Sequence, residues 1–163
     1  MMERYRHKIK TAQEIHDRYF LDGKTSIMCH GVFDIVHPGH IRHLLYAKGK
    51  ADILIVSITA DRHVNKGPGR PHVPQDLRAL NLAAFEMVDY VIIDHNATPL
   101  ENLKLIQPDF YARGFEYSAH GPGTQIAEEA EAVRAYGGEI LFTPGDVVYS
   151  SFRPPGFWRR RQP

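Results

Sequence analysis

The feature that most constrains the fold of this chain is a regular alternation of short apolar runs with segments of helical periodicity. The run from Asp52 to Thr59 is rich in β-branched residues, which is typical of strands that are buried on both faces of a sheet. Further along, Leu77, Leu80 and Ala84 recur at the spacing of one helix face. Alternating strands and helices imply right-handed βαβ crossovers. We therefore predict an α/β fold: a doubly wound, mostly parallel sheet of five strands with helices on both faces.

The same patterns predict the individual elements. We expect strands at residues 25–29, 52–59, 88–93, 110–112 and 139–142, and helices that begin near Pro38 and cover residues 74–87, 99–106 and 125–136. The first twenty residues are expected to form one helix that packs outside the α/β unit. This divides the chain into an N-terminal helical extension (1–24), an α/β domain (25–151) and an irregular basic tail (152–163).

Composition excludes several classes of protein. With 43% hydrophobic and 24% charged residues, the 163-residue chain is typical of ordinary globular proteins, and it contains no apolar run of membrane-spanning length. A net charge of +1 gives no general attraction for nucleic acid, and the arginine run 159–161 is interpreted as a solvated end. The charged N-terminus does not resemble a signal peptide, and Cys29 is the single cysteine. We expect a cytoplasmic protein that binds neither nucleic acid nor membranes.

Two histidines stand three residues apart where the helix after the first strand is predicted to begin. His37 and His40 can therefore face the same side of that helix. The free N–H groups and partial positive charge of a helix N-terminus favour a phosphate, and Gly39 lets a ligand approach closely. Imidazoles at this place can donate hydrogen bonds to phosphoryl oxygens as negative charge develops. The spacing predicts a site for in-line phosphoryl chemistry without a covalent intermediate.

In sheets of this kind ligands bind beyond the carboxyl ends of the strands, and other candidate residues follow strands too. Lys66 and Arg70 lie in a Gly/Pro-rich loop after the second strand, where they can reach the same phosphates. Asp61 and Arg78 are candidates for substrate binding. A loop cap for Asp61 and a helix-surface salt bridge for Arg78 are the alternatives.

The segment 31–48, which contains Gly-Val-Phe-Asp-Ile-Val-His-Pro-Gly-His, resembles the signature of the cytidylyltransferase-like nucleotidyltransferase family. Later blocks of its sugar-phosphate branch, which includes heptose-1-phosphate adenylyltransferase domains, are similar to residues 59–61, 66–71, 88–92, 113–117 and 142–151. The resemblance implies a Rossmann-like sheet. It also implies transfer of a nucleoside monophosphate from ATP or CTP to a sugar phosphate such as heptose 1-phosphate, with release of pyrophosphate.

The resemblance also assigns roles to particular residues. It implies that His37 and His40 stabilise the transition state at the α-phosphate and that Lys66 contacts the triphosphate or the acceptor phosphate. It places the nucleotide against Gly31, Val32, Phe33, Asp34, Gly39, Arg70, Arg113, Gly114, Ser150 and Ser151. Mg²⁺ would arrive mainly with the triphosphate rather than in a protein cage, so no metal ligands are assigned. A homodimer and a fused or partner sugar kinase are further expectations from the family.

Other readings of the same residues stay open. His37, His40 and His43 together suggest zinc, although no second cysteine or His-Glu motif accompanies them. Ser150 and Ser151 are also suited to an ordinary helix N-cap. The alternative functions are a CTP:polyol-phosphate cytidylyltransferase of the glycerol-3-phosphate type and a non-catalytic nucleotide-binding domain.

Overall fold

The described part of the computed structural model, residues 3–114 and 123–144, is built around one sheet of five parallel strands. The strands are β1 (Ser26–Gly31), β2 (Ile53–Thr59), β3 (Tyr90–Asp94), β4 (Phe110–Arg113) and β5 (Glu139–Phe142). They lie in the order β3-β2-β1-β4-β5, and every neighbouring pair is parallel. The predicted α/β fold with a parallel five-stranded sheet is confirmed.

Helices cover both faces of this sheet. They are α1 (Glu3–Arg6), α2 (Ala12–Asp22), α3 (Pro38–Lys48), α4 (Gln75–Ala83), α5 (Leu100–Ile106) and α6 (Thr124–Ala135). The predicted start of α3 at Pro38 is confirmed, whereas α4 ends four residues before the predicted position 87. In the ranges that the structure describes, no helix combines the length and the apolar character needed to cross a bilayer.

The alternation of side chains along each strand divides the core into two layers. In β2, Leu54 and Val56 pack into the layer beneath α3 and α4, while Ile55 points into the layer beneath α2, α5 and α6. All three side chains are fully buried. Burial on both faces explains why the strand is a continuous apolar run rather than an alternating one.

The strand order places a crevice at one end of the sheet. The chain moves outward from β1 through β2 to β3 and then returns to the other side of β1 with β4 and β5. The switch point therefore lies between β1 and β4. Ligands of doubly wound sheets bind beyond the carboxyl ends of the strands at such a point.

The N-terminal segment differs from the predicted single helix, and that prediction is wrong. Two helices are separated by an extended piece in which Ile9 forms a parallel bridge with Val91 of the edge strand β3. Thr11 and Glu14 form a capping box that starts α2 anew, so the residues before it are free to cover the sheet edge.

Lys8 fastens this extended piece to the neighbouring helix. Its backbone carbonyl accepts a hydrogen bond from the Val91 N–H at 2.9 Å. Its ammonium group donates to the carbonyls of Phe85 and Val88, at 3.0 and 2.7 Å, just beyond the end of α4. A cation is favoured there because the carbonyls at a helix end carry partial negative charge. The N-terminal segment is therefore part of the packed α/β unit.

Replacement of Ile15 tests this packing. Ile15 lies on α2, is 1% exposed and belongs to the core layer of Met28 and Ile55. We expect Ile15→Ala to lower the free energy of unfolding by about 2–5 kcal/mol, because it leaves a cavity. The control Leu45→Ala removes a side chain that is 56% exposed on α3 and should change stability by less than about 0.5 kcal/mol. Equal urea midpoints for both variants would contradict the packing of α2.

Candidate active site

A tight turn at the end of β1 directs the chain into α3. Phe33 has a positive φ of 50°, an uncommon conformation for a non-glycine residue, and its ring is 4% exposed. The ring folds back over Gly31, where an added Cβ would stand 3.1 Å from Phe33 Cε2. Glycine at position 31 gives the ring room to pack, and the ring in turn supports His40 at a centroid distance of 4.9 Å.

The two histidines stack on each other at the start of α3. His37 is the N-cap residue in an extended conformation, it makes no side-chain capping bond, and Pro38 follows at the first helical position. The rings of His37 and His40 lie 3.8 Å apart between centroids at an angle of 23°. The structure thus brings the pair together on one side of the helix, as their spacing predicts.

His40 is a neutral hydrogen-bonding group in this environment. Burial, and after it the charges of His37, Lys66 and His43, lower the pKa of His40 to about 3. A neutral imidazole can donate one hydrogen bond without carrying a charge. A negatively charged phosphate beside the ring would favour the protonated form, so ligand binding and protonation of His40 are coupled.

Asp34 joins the loop after β1 to the loop after β2. Its carboxylate is 2% exposed and accepts hydrogen bonds from Arg70 Nε at 2.6 Å and from the backbone N–H groups of His72 and Val73 at 3.0 and 2.9 Å. Burial by itself raises the pKa of Asp34, but these donors outweigh it and hold the pKa below its usual range. The geometry shows Asp34 positioning the adjoining loop, and its contact with the nucleotide stays a prediction.

The loop held by Asp34 carries the two predicted cations. Arg70 donates a hydrogen bond from its Nε to the Asp34 carboxylate. Burial and the nearby charge of Arg70 lower the pKa of the half-buried Lys66, and the charge of Asp34 opposes this change. The charge of Lys66 also lowers the pKa of His40, which links this loop electrostatically to the stacked histidines.

Arg78 occupies a different place from the one expected. Its guanidinium is fully buried and donates to the carbonyls of Val73 and Val32 at 2.9 and 2.6 Å and to Asp61 Oδ1 at 2.6 Å. Asp61 also accepts a bond from the Gln75 N–H at 3.2 Å, which caps α4. All three guanidinium nitrogens of Arg78 donate to protein acceptors, so the geometry displays a positioning role, and contact with substrate stays a prediction. Asp61 thus holds Arg78 and the start of α4, and its contact with substrate stays a prediction.

Arg113 is held in place by a residue that the sequence reasoning missed. Its guanidinium is paired with the fully buried Glu129 of α6, Nε to Oε2 at 3.4 Å, and Tyr111 donates its hydroxyl to the same oxygen at 3.0 Å. Glu129 falls on the apolar stripe of α6 between Ile126 and Val133, which is where a buried partner for a cation could have been sought. Gly114 follows directly at the carboxyl end of β4.

His43 connects α3 to the segment after β5. Its Nδ1 lies 2.5 Å from the Thr143 hydroxyl, and Thr143 is 7% exposed. The sequence analysis did not foresee this contact, since it considered His43 only as part of a zinc site. The described residues hold no group of three or more His, Cys, Asp or Glu side chains placed to bind a metal ion. Ser150 and Ser151 lie outside the described residues.

Three half-buried histidines predict that the fold is sensitive to acid. Burial lowers the pKa of His30 and of His40 to about 3 and that of His43 to about 4. The unfolded chain, with histidine pKa values near 6.5, binds more protons below that pH, so the free energy of unfolding falls as pH drops from about 6.5 towards 4.

Urea unfolding at several pH values measures this dependence. His43→Gln should make the slope shallower by up to about 1.4 kcal/mol per pH unit between pH 6 and 5, because one proton fewer is taken up on unfolding. An unchanged slope would show that His43 is already protonated in the folded protein.

Comparison with known proteins identifies the family of this chain. A family model described as Cytidylyltransferase-like matches residues 28–149. The Bifunctional protein HldE of Sulfurimonas denitrificans is 40% identical over 131 residues, which are 77% of this chain and 28% of that protein. The protein of the same name from Nitratiruptor sp. is 38% identical over 125 residues, 75% of this chain and 26% of its own length. The chain thus spans little more than a quarter of these relatives.

Two solved structures share the fold. A lipopolysaccharide core biosynthesis protein from Thermoplasma volcanium has a TM-score of 0.64 and 24% identity, covering 75% of this chain and 98% of that one. A pantoate-beta-alanine ligase from Francisella tularensis has a TM-score of 0.57 and 15% identity, covering 82% and 65%. Both likenesses bear on the fold alone. Since the matched range 28–149 contains the stacked histidines and the loop held by Asp34, the chain belongs to the cytidylyltransferase-like family of nucleotidyltransferases.

Proposed function

We propose that this protein transfers a nucleoside monophosphate from ATP or CTP to a sugar phosphate such as heptose 1-phosphate and releases pyrophosphate. The observation that carries the proposal is the stacked pair of His37 and His40 at the start of α3, with Arg70 of the Lys66-containing loop bound to Asp34 and Lys66 acting electrostatically on His40. Membership of the family supports the reaction class, and the resemblance to heptose-1-phosphate adenylyltransferase domains supports the acceptor.

The proposed reaction is a direct displacement. An oxygen of the acceptor phosphate attacks the α-phosphorus in line, one P–O bond forms, the bond to the β-phosphate oxygen breaks, and pyrophosphate leaves. His40, whose protonated form a bound phosphate favours, is suited to donate a hydrogen bond to an α-phosphoryl oxygen, with His37 stacked against it. Lys66 and Arg70 would offset the charge on the leaving pyrophosphate. Mg²⁺ accompanying the triphosphate would contribute further charge neutralisation.

The nucleoside is proposed to lie along the carboxyl ends of β1 and β4. The backbone of residues 31–33 and Gly39 would face it on one side, and Arg113 with Gly114 on the other. The ion pair with Glu129 restricts the guanidinium of Arg113 to one position, which suits a residue that orients a base or ribose. Ser150 and Ser151 are kept as proposed phosphate contacts from the resemblance alone.

We also propose two partners for this chain, a sugar kinase and a second copy of itself. The HldE relatives are bifunctional by name, and this chain corresponds to little more than a quarter of their length. A sugar kinase, fused or as a separate partner, would supply the phosphorylated acceptor. We propose a homodimer because members of the family commonly form one.

Pyrophosphate release tests the proposed function. The protein is incubated with ATP or CTP, Mg²⁺ and a panel containing heptose 1-phosphate, glucose 1-phosphate and glycerol 3-phosphate. We expect release with heptose 1-phosphate, while a preference for CTP with glycerol 3-phosphate would support the polyol-phosphate alternative. Tight nucleotide binding without release from any acceptor would contradict the proposal and favour a non-catalytic binding domain.

Replacement of His40 tests its role in the displacement. We expect His40→Ala to lower kcat by about 100-fold or more and to change KM only a few-fold, because its hydrogen bond strengthens in the transition state. His7→Ala is the matched control, since this imidazole is exposed and its Nδ1 lies 2.7 Å from the Arg4 carbonyl oxygen. A large rise in KM at unchanged kcat would mean that His40 serves ground-state binding alone.

A further inference from the structure

A row of polar side chains crosses the carboxyl edge of the sheet on the face covered by α2, α5 and α6. It consists of His30 on β1, Ser57 and Thr59 on β2, and Asp94 on β3. The strand register pairs His30 with Ser57 and Thr59 with Asp94. Residues two positions earlier in their strands, such as Met28, belong to the apolar layer on this same face. The row replaces that apolar layer where the strands reach the crevice.

Most polar atoms of this row have partners. His30 Nδ1 lies 3.0 Å from the Ser57 hydroxyl, and His30 Nε2 lies 3.3 Å from the Thr59 hydroxyl. Asp94 Oδ1 accepts two hydrogen bonds at 2.9 Å from Asn96, one from the backbone N–H and one from the side-chain amide. These contacts fix the orientation of both the imidazole and the carboxylate.

The second oxygen of Asp94 has no hydrogen-bond donor among the described residues, although it is fully buried. The nearest cationic candidate, His30 Nδ1, is 3.9 Å away, too far for a hydrogen bond. Burial lowers the pKa of His30 to about 3, so this ring supplies no counter-charge at neutral pH. A buried acceptor without a donor costs about 1–3 kcal/mol, and more for a charged group. Such an oxygen at a ligand crevice points to a donor that arrives with the ligand.

The chemistry of the row favours a hydroxyl as that donor. One carboxylate oxygen is too few ligands for a hard cation, which takes six or more oxygens. Hydroxyls of Ser57 and Thr59 beside an imidazole can both donate and accept, which suits the hydroxyl groups of a carbohydrate.

The distances also suit a phosphorylated sugar. His30 directly precedes Gly31 of the turn that leads to the histidine pair. With strands about 4.8 Å apart, β1 and β3 are separated by about 10 Å, a span that a sugar phosphate can bridge. A cavity of about 460 Å³ adjoins the β3 end of the row. Ile92, Ile93 and Asn96 line this cavity together with the first turn of α2.

We propose that Asp94, with His30 and Thr59, forms a subsite that binds the hydroxyl groups of the phosphorylated acceptor. The proposal rests on the proposed function, because the acceptor phosphate is taken to lie at the histidine pair. Asp94 accepts a hydrogen bond from a sugar hydroxyl through the oxygen that protein donors leave unsatisfied. This makes Asp94 a specificity-determining residue for polyhydroxyl acceptors.

Calorimetry with two kinds of ligand tests the subsite without requiring turnover. Inorganic phosphate, which lacks carbohydrate hydroxyls, is compared with the sugar and polyol phosphates of the panel on wild type, Asp94→Asn and the exposed control Asp76→Asn. We expect Asp94→Asn to weaken binding of the preferred sugar phosphate about tenfold or more. Loss of a negative charge can only favour anions, so inorganic phosphate should bind as well as before or more tightly.

Several results would overturn the subsite. These are unchanged sugar-phosphate binding in Asp94→Asn, an equal loss for inorganic phosphate, or wild type that binds no panel member more tightly than inorganic phosphate. If Asp94→Asn does not fold, Thr59→Val, which has a similar volume, provides a second test. We expect this variant to bind the preferred sugar phosphate several-fold more weakly.

The outcomes separate this inference from the proposed function. Wild type that binds a sugar phosphate through Asp94 but releases no pyrophosphate contradicts nucleotidyl transfer and leaves the subsite standing. Wild type that turns over, with the same acceptor KM in Asp94→Asn, supports transfer and rejects the subsite.

Discussion

The buried carboxylate of Asp34 is the interaction on which the site depends. It follows the turn at the end of β1 and binds Arg70 and the backbone of His72 and Val73 in the loop after β2. Hydrogen bonds to a charged group contribute about 1.5–3 kcal/mol each, and an unpaired buried charge costs several kcal/mol. Two loops that share no backbone hydrogen-bond ladder are thereby held together. One loop leads to the histidine pair, and the other carries the cations.

Two further buried charges support this arrangement. Arg78 joins the turn after β1, through the Val32 carbonyl, to Asp61 after β2. Glu129 reaches from α6 to Arg113 at the end of β4. Each charge is enclosed and paired, because a buried ion is tolerated only when its partners replace the lost water. The carboxyl edge of the sheet is therefore held by charged contacts, whereas its two faces are held by apolar packing.

The sequence predicts the sheet well because burial on both faces leaves a strong pattern. The limits 139–142 of the last strand and the start of α3 at Pro38 are reproduced, and the three-residue spacing of the histidines predicts their stacking.

The N-terminal segment was mispredicted because charge and periodicity alone do not show that residues 8–10 pair with a sheet edge. The capping pattern of Thr11 and Glu14 was the available signal. Burial of Arg78 depends on loops that meet only in the folded chain, so no local pattern shows it. The unsatisfied Oδ2 of Asp94 likewise shows only once its neighbours are placed in the fold.

The central claim is that the triphosphate lies between the stacked histidines and the loop that Asp34 holds. A crystal structure with Mg²⁺ and a non-hydrolysable analogue of ATP or CTP tests this most directly. The account predicts the α-phosphate within hydrogen-bond distance of His37 or His40, with Lys66 or Arg70 on the β- or γ-phosphate. A nucleotide whose phosphates bind away from both the first turn of α3 and the loop of residues 66–70 would contradict it.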